Sequence, residues 1–446
     1  MKKRRPFKVA ISMALLIAVS IVRAQPVTQH LFSIQQAVEY AKKNNTQVKN
    51  ALLNVQIQEQ ENRGVTAAAY PTLSASGAFT DYLNIPTSLI PGDFVGQPGT
   101  YIPVKFGTKY IASGGLQLNQ LLFDGQVFVG LQARAATIAY QKKAQEVTEE
   151  SIKVNIYKIY YQLVVSKTQL ELLDSNISRL EKLKHDANEM FKNGFAERLD
   201  VDKLDVQLTN IKTEKKKALN DIEVGYLGLK TLIGMPIKDG LTLTDRITET
   251  DIKTGLLADS AIYTDRKEYQ YLQIAKQLNE YNVKRYKLSY YPTLSMNANY
   301  SKQAQRNQFD FFNKGDWFTT SYVGVNLAVP IFSGFAKDAK VKQSKLELQQ
   351  VENSIDNLKL SIDNDLEAAK LKIKSAIETM DFQKKNMELA EKVYYQTKKK
   401  FEAGLGSNTE INTAQIDLKT AQTSYISALY DAIIAKVDYL KATGKL

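Results

Sequence analysis

A heptad pattern of apolar residues occurs twice in this chain of 446 residues, and the second copy lies 210 positions after the first. In the first copy the residues recur in alternating steps of four and three, from Ile152 to Leu180 and again from Val201 to Leu232. The matching stretches of the second copy run from Ile362 to Ala390 and from Ile411 to Ala442. A period near 3.5 residues over such lengths is typical of long helices packed as left-handed coiled coils. Because the copies agree in phase, the pattern predicts two copies of one structural unit.

A glycine interrupts each copy at the matching place and predicts a turn between two helices. Gly194 and Gly404 each follow the end of a predicted helix and are placed as its C′ residue. The predicted turns cover residues 193–200 and 403–410. The long helices before them would reach Lys192 and Glu402, and at about 70 residues each they would be some 100 Å long. The predicted helices Ser33–Ala69 and Leu199–Leu232 are about half as long.

Residues 1–24 have the pattern of a secretory signal peptide, with a basic cluster, the apolar stretch Val9–Val22 and small residues up to Ala24. The apolar stretch is too short for a membrane anchor, so a single transmembrane helix is the weaker interpretation. Cleavage after Ala24 would remove six basic residues and no acidic ones, which lowers the formal net charge from +12 to +6. The remaining lysine runs lie beside glutamates on predicted helices, and we expect no nucleic-acid partner.

The composition argues against an enzyme. The chain has no cysteine and two histidines, His30 and His185, so we expect no disulfide and no metal site of the usual composition. The sequence contains no phosphate-binding glycine loop, dinucleotide-binding turn or nucleophile elbow, and we expect no cofactor. No apolar run of about 20 residues follows the signal, so any membrane-spanning part would have to be built from β-strands.

Four stretches alternate between apolar and small polar residues, which predicts β-strands. They form one strand pair within residues 73–119 and a second within 293–330, and each has the length and pattern of a transmembrane strand. A soluble sheet with one water-facing side would alternate in the same way. The export signal and polar faces rich in Ser, Asn and Gln favour the membrane.

Matched corners join these strands to the helices. Pro71 and Pro292 stand in the same sequence, Tyr-Pro-Thr-Leu, which ends a helix because proline removes a donor. Gly125 and Gly334 close the corners Leu-Phe-Asp-Gly and Ile-Phe-Ser-Gly that lead back into the long helices. Loops 83–103 and 303–317 lie between the strands, and their role cannot be inferred from the sequence.

The order of these parts resembles the TolC-type outer-membrane efflux protein family over essentially the whole mature chain. The repeats are 25–236 and 263–446, joined by a linker, 237–262. The resemblance implies a mostly α fold with transmembrane β-strands in a homotrimer. Each chain would give four strands to one twelve-stranded barrel in the outer membrane, and this barrel would be continuous with a coiled-coil helical barrel in the periplasm of a Gram-negative bacterium.

The resemblance also places a gate and an adaptor contact at the glycine turns. Phe401 matches an aromatic gate position without its hydroxyl, and Asp200 and Glu410 match acidic gate positions. Gly406 stands where the family has an arginine and Thr413 where it has a second carboxylate, so the family's salt-bridge lock is incomplete here. The predicted adaptor-contact residues of the turns are Gly194, Phe195, Gly404, Leu405 and Ser407.

The acidic residues also have a structural interpretation. Ser407-Asn408-Thr409-Glu410 has the pattern of a capping box, and Asp200 lies in the first turn of its helix, where the helix dipole favours a carboxylate. Both roles stay open for each residue.

The expected function is a passive outer-membrane exit channel of a tripartite efflux or type I secretion system. Its partners would be a periplasmic adaptor (membrane fusion) protein, an inner-membrane pump and outer-membrane lipid. The alternative is an exported coiled-coil scaffold or adhesin with a small soluble β-domain. The sequence identifies neither the substrate nor the energy source of the pump.

Overall fold

The computed structural model describes residues 29–246, 248–255, 263–312 and 315–446, so the predicted signal peptide lies outside the described residues. The helices are α1 (Ile34–Asn44), α2 (Thr46–Ala67), α3 (Gly125–Lys192), α4 (Arg198–Ile233), α5 (Glu249–Lys253), α6 (Lys267–Leu288), α7 (Ala336–Glu402) and α8 (Asn408–Ala442). The strands are β1 (Gln29–Phe32), β2 (Thr72–Asp81), β3 (Thr87–Pro91), β4 (Tyr101–Lys105), β5 (Tyr110–Phe123), β6 (Gly240–Leu243), β7 (Thr293–Arg306) and β8 (Phe318–Ala328).

The chain forms two compact units. The helical unit takes its described residues from Met1–Asn50, Thr148–Ile262 and Ile362–Leu446, and the sheet unit from Ala51–Val147 and Tyr263–Ser361. Helices α2, α3 and α7 contribute residues to both units.

The predicted heptad positions form the core of the helical unit. In the second copy, none of the heptad positions in Ile362–Ala390 or Ile411–Ala442 is exposed, and most of these heptad positions are buried. One cluster joins all four long helices through buried Leu180 of α3, Leu204 of α4, Tyr394 of α7 and Ile411 of α8. The long helices end at Lys192 and Glu402, as predicted, so these two ends are 210 positions apart.

A four-stranded antiparallel sheet dominates the sheet unit. Its order is β2-β5-β7-β8, so β2 and β8 each have one paired side among the described residues. Cross-strand partners share a face, and the register aligns Leu73, Leu118, Ala298 and Val323 in one row. The neighbouring row of the opposite face holds Ser74, Gln117, Asn299 and Tyr322. The sheet therefore has one apolar and one largely polar face.

The predicted helix Ser33–Ala69 is two helices, and this part of the prediction is wrong. Asn45 separates α1 from α2 with an extended backbone (φ −61°, ψ 131°). Its Oδ1 accepts hydrogen bonds from the backbone N–H of Gln47 at 2.7 Å and of Val48 at 3.1 Å, and its Nδ2 donates to the carbonyl of Leu232 at 2.6 Å. Asparagine competes with the helix for backbone groups in this way.

The first long loop is also more ordered than the sequence indicates. Within residues 83–103 and just beyond, β3 and β4 form an antiparallel hairpin whose register pairs Thr87 with Lys105 and Pro91 with Tyr101. The prolines of this segment made a loop the natural prediction from the sequence. A short two-stranded hairpin nevertheless tolerates proline.

The segment between the repeats carries structure of its own. Strand β6 pairs in parallel with β1, with Gln29 opposite Gly240 and Phe32 opposite Leu243. Leu241 and Leu243 are buried in the same cluster as Ile156 and Tyr160 of α3. Part of the linker thus belongs to the core of the helical unit.

Candidate functional site: the helical turns and the sheet

The two glycine turns have the same backbone geometry. At the first, the N–H of Gly194 donates to Phe191 at 3.0 Å and the N–H of Phe195 donates to Met190 at 2.8 Å. At the second, Gly404 donates to Phe401 at 2.9 Å and Leu405 to Lys400 at 3.0 Å. This pair of bonds is the Schellman motif.

Positive φ values explain why glycine occupies both turns. Gly194 has a φ of 78° and Gly404 a φ of 73°, in the left-handed region that other residues rarely adopt. A Cβ at either position would meet no heavy atom within 4 Å, so conformation and not crowding selects glycine. The prediction that both residues are C′ positions is confirmed.

Phe401 lies in the hydrophobic core beneath the turns. Its side chain is 8% exposed and belongs to the cluster that holds Leu204 and Ile411. The two apolar residues just beyond the glycines behave differently, because Phe195 and Leu405 are both largely exposed. The exposed pair supplies an apolar surface at the turns, whereas Phe401 contributes to packing.

Each candidate acidic residue has a lysine from the same chain near it. Glu410 Oε2 lies 3.2 Å from Lys400 Nζ. Asp200 Oδ1 lies 3.9 Å from Lys203 Nζ, and this carboxylate is partly buried in the first turn of α4. The positions of both acids beside the turns agree with either role, helix cap or gate.

The predicted capping box at α8 is only half formed. Ser407 is the N-cap, and its Oγ accepts a hydrogen bond from the backbone N–H of Glu410 at 3.2 Å. The Glu410 carboxylate does not return to the Ser407 N–H but accepts from Lys400. An ion pair is the stronger interaction for an exposed carboxylate with a lysine in reach, because both partners are charged.

The two positions that depart from the family pattern have local explanations. A Cβ at Gly406 would lie 3.2 Å from the backbone nitrogen of Phe401, which is tight for any side chain. Thr413 Oγ1 donates to the carbonyl of Thr409 at 2.9 Å within α8. Neither residue supplies a charge at the turns.

Glycine occupies the two helix–strand corners, at Gly125 and Gly334, for different physical reasons. A Cβ at Gly125 would lie 2.8 Å from the Cβ of Leu288 in α6, so close packing excludes a side chain. Gly334 has open space but a φ of 59°, and Phe335 beside it also has a positive φ, 63°. Pro71 and Pro292 directly precede Thr72 of β2 and Thr293 of β7. The second of these strands starts at the predicted residue, and the first starts one residue before the predicted position 73.

Sequence reasoning missed a short strap, Thr248–Thr254, which carries α5. Ile252 of the strap is buried against α7 and α8 in a cluster with Met380 and Ile433. Glu249 lies 2.9 Å from Lys384 Nζ of α7 and accepts a hydrogen bond from the Tyr425 hydroxyl of α8 at 2.8 Å. The strap therefore ties α7 to α8.

The surroundings of the strap favour the charged forms of both Glu249 and Lys384. Burial alone would raise the pKa of Glu249, but the hydrogen bonds from Lys384 and Tyr425 lower the pKa below its ordinary value. The hydrogen bond to Glu249 raises the pKa of Lys384. The available sequence signal was Thr248-Glu249-Thr250-Asp251, a capping box that the structure forms in full.

A buried polar layer, also missed, joins α3 to α8. Asn176 Nδ2 donates to Gln422 Oε1 at 2.8 Å, and Asn176 Oδ1 accepts from Gln415 Nε2 at 2.9 Å. Arg179 donates to the same Oδ1 at 2.6 Å. Amides inside a heptad seam accept only one register of their neighbours, which is the recognised use of such residues in coiled coils.

A family model for outer membrane efflux proteins matches residues 269–445. Nearly the whole chain is similar to the outer membrane efflux protein BepC of Brucella suis biovar 1, with 21% identity over 446 residues, 98% of this chain and 91% of the relative. The match to the family model lies within the second of the two predicted repeats, 263–446. The chain is also similar to the alkaline protease secretion protein AprF of Pseudomonas aeruginosa, with 20% identity over 336 residues, 74% of this chain and 68% of AprF.

The fold of the chain is similar to that of the transmembrane channel CusC, with a TM-score of 0.76, 14% identity and coverage of 95% of both chains. The predicted resemblance to outer-membrane efflux proteins and the predicted location in the Gram-negative outer membrane are confirmed. Among the described helices, none combines the length and the apolar character of a membrane span. The described residues likewise contain no cluster of three or more His, Cys, Asp or Glu side chains suited to a metal ion.

Proposed function

We propose that three copies of this chain form a passive outer-membrane exit channel for a tripartite efflux pump or a type I secretion system. The observation that carries the proposal is the four-stranded sheet, in which β2 and β8 have no partner on their outer sides among the described residues. Unpaired backbone groups in hydrocarbon cost several kcal/mol each, by order of magnitude. Three copies joined edge to edge would close a barrel of twelve strands and satisfy both edges.

The two faces of the sheet support this arrangement. The apolar face, with Leu118, Val323 and Val325, suits the hydrocarbon of the membrane, and the face with Gln117 and Asn299 suits a water-filled lumen. The polar face is formed by uncharged side chains over most of its length. Such a wall selects weakly among solutes, so the pump would choose the substrate.

Exposed apolar residues on the helices call for neighbours outside the chain. On α7, Leu371, Phe382, Leu389 and Val393 are exposed at spacings of 11, 7 and 4, which place them on one side of the helix. Phe382 is 68% exposed. In the proposed trimer these residues form seams between chains in a helical barrel that continues the sheet barrel into the periplasm.

The glycine turns would meet the periplasmic adaptor. The exposed side chains of Phe195 and Leu405 offer an apolar contact beside the backbone of Gly194, Gly404 and Ser407. The channel has no enzymatic activity in this proposal, and the inner-membrane pump supplies the energy. BepC and AprF, by their names an efflux protein and a protease secretion protein, indicate the two kinds of system.

In the trimer, Asp200 and Glu410 of three chains would place six carboxylates around the periplasmic opening. Lys203 and Lys400 offset part of this negative charge in each chain. The resulting ring would favour cations and narrow the pore. Phe401 supports the ring from the core and does not line the opening.

The gate role is tested by single-channel conductance of an Asp200→Ala, Glu410→Ala double variant in planar bilayers. We expect a larger conductance and a weaker cation preference than in the wild type. Asp202, which pairs with Arg198 at 3.0 Å on the same helix, supplies the matched control Asp202→Ala. A double variant with the wild-type conductance and ion preference would exclude the gate role.

The channel function itself is tested with the wild-type protein. Reconstituted trimers should produce single-channel currents. A water-soluble monomer or dimer without channel activity would instead support an exported scaffold.

A further inference from the structure

One row of the apolar sheet face differs from the rows beside it. The register aligns Gly77 of β2, Gly114 of β5, Lys302 of β7 and Thr319 of β8 across the whole sheet. The row before it toward the helices contains Ala75, Leu116, Tyr300 and Ser321. A lysine therefore stands on the apolar face beside two residues that have no side chain.

The two glycines leave an open floor. A Cβ on Gly77 would meet the Ser113 carbonyl oxygen at 3.8 Å, and a Cβ on Gly114 would meet the Ser76 carbonyl oxygen at 3.9 Å, both ordinary contacts with the neighbouring backbone. Neither glycine has a positive φ. Their small size therefore serves no turn and no close packing seen within the described chain, and the space above them stays free.

Apolar side chains border this floor on both sides along the strands. Phe79 follows Gly77 by two residues on β2, and Leu116 follows Gly114 by two on β5. Both side chains are about half exposed. Phe79 is also held in place by aromatic contacts with Tyr110 and Phe309, with ring centroids 6.0 and 5.5 Å apart. The result is a shallow notch with apolar walls.

The charge of Lys302 is not matched by an acid. Its side chain is exposed, and no carboxylate pairs with it within the described ranges. Arg306, two rows farther along the same face, contrasts with it because Arg306 pairs with Asp310 at 3.1 Å and stacks on Phe311 at 5.4 Å. The sheet thus neutralises one cation of this face and leaves the other available.

The height of Lys302 fits the boundary of the membrane. Lys302 lies eight residues beyond Leu294 on β7, which is about 27 Å along a strand at 3.4 Å per residue. A strand tilt of 35–45° reduces this to roughly 20 Å across the membrane, close to the height of the apolar band of such barrels. Lys302 would then reach the headgroup level of the outer leaflet.

Resting on the proposed barrel, we infer that Lys302 and the floor of Gly77 and Gly114 bind an anionic lipid of the outer leaflet. The ammonium group holds a lipid phosphate, and the first carbons of an acyl chain lie on the glycines between Phe79 and Leu116. Each trimer has three such notches, one in each chain. The chemistry required is a phosphate attached to a hydrocarbon chain, which a free phosphate ion lacks.

The site is tested by native mass spectrometry of the purified full chain in detergent, titrated with diphosphoryl lipid A. We expect up to three bound lipids per trimer. One lysine near a charged membrane surface contributes about 1 kcal/mol, so Lys302→Gln should weaken binding about fivefold. Gly114→Val, which keeps the charge but fills the floor, should also weaken it.

Lys105, exposed on the β3–β4 hairpin, supplies the control variant Lys105→Gln, which should bind lipid A as the wild type does. Dephosphorylated lipid A should bind more weakly to the wild type, and an equal concentration of inorganic phosphate should not compete. The inference would be overturned if Lys302→Gln bound lipid A as the wild type does, if Lys105→Gln lost as much binding as Lys302→Gln, or if inorganic phosphate displaced the lipid. The channel proposal would still stand in each of these cases as long as the trimer is intact. A wild-type protein that forms no trimer would overturn both.

Discussion

Helices α4 and α8 occupy the same place in the two repeats but bury their surfaces differently. Six of the 36 residues of α4 are buried, against 15 of the 35 residues of α8. The buried set of α4 consists of Val, Leu and Ile, whereas that of α8 contains many alanines, among them Ala414, Ala421, Ala428, Ala432 and Ala435. Small residues permit close approach of neighbouring helices, so α8 is enclosed within its own chain while much of α4 is left uncovered.

The uncovered side of α4 is apolar in part. Val206 is 61% exposed and lies two residues from Leu204, which is 1% exposed. Val224, five helical turns farther along, is exposed on the same side. The duplicated unit therefore has one hairpin helix, α8, that is largely enclosed within the chain, and one, α4, whose exposed side another chain covers in the proposed trimer.

The largest effect is expected where the outer surfaces are made polar. A Val206→Asp, Val224→Asp double variant places charges in the proposed interchain seam but replaces no buried residue, so the chain should fold and the trimer should be lost. The measurement is the mass of the protein–detergent complex, with Lys216→Asp, an exposed position about 80° around α4 from Val206, as the control. A double variant that stays trimeric would show that this side of α4 faces solvent in the assembly.

Truncation of the inner side of α4 should instead destabilise the fold. Leu204→Ala removes a buried side chain from the core beneath the turns, and such changes cost about 2–5 kcal/mol of unfolding free energy. Val206→Ala, on the exposed side of the same helix, should cost far less in the isolated chain. Chemical unfolding of both variants in detergent checks the difference, and equal losses would contradict the division between inner and outer sides.

Enlarging a residue of α8 should also destabilise the fold, though by less. Ala432 is fully buried against the strap cluster. Ala432→Leu should cost about 1–3 kcal/mol because a packed interior does not absorb added methylenes. Ala432→Gly tests the same position without overpacking. Unfolding midpoints that rise for the leucine variant would mean that α8 has unfilled space beside it.

The smallest effect concerns the strap and its dependence on pH. The lowered pKa of Glu249 means that its contribution is present above the ordinary value of 4.5 and is lost as the pH drops through the lower, folded value. The raised pKa of Lys384 means that its contribution is present below 10.5 and is lost as the pH rises through the higher, folded value. Hydrogen exchange of Glu249–Lys253, expressed as protection relative to the intrinsic exchange rate at each pH, should therefore show strong protection at neutral pH and weaker protection in acid.

Glu249→Gln should remove the acid-dependent part of this protection. Asp205→Asn, which breaks an exposed pair with Lys184 elsewhere in the helical unit, should leave it unchanged. If the protection of the strap in Glu249→Gln still falls at low pH, the effect belongs to other groups.

The contrast between repeats also explains what the sequence could reveal. Two features could be predicted because many residues share one regular period: the C-termini of the long helices, Lys192 and Glu402, and the faces of the strands. The break at Asn45, the strap and the Asn176 layer each depend on one or two polar residues that meet distant parts of the chain. A single asparagine in a heptad flank looks the same whether it faces water or a buried glutamine, so only the structure distinguishes the two.

The turns show the same limit at the candidate site. The conformation of Gly194 and Gly404 follows from their place after a helix, and the structure confirms it. That Phe401 is buried and that Glu410 turns to Lys400 depend on how four helices meet. Neither the burial of Phe401 nor the Glu410–Lys400 ion pair could be predicted from the local sequence.

The central claim is that the sheet edges and the outer helix sides of one chain are completed by two further copies. The most direct measurement is the mass of the purified mature protein by sedimentation in detergent and in plain buffer. The account predicts a trimer that needs detergent or lipid to stay dispersed. A monomer or dimer that stays soluble in buffer alone would contradict it.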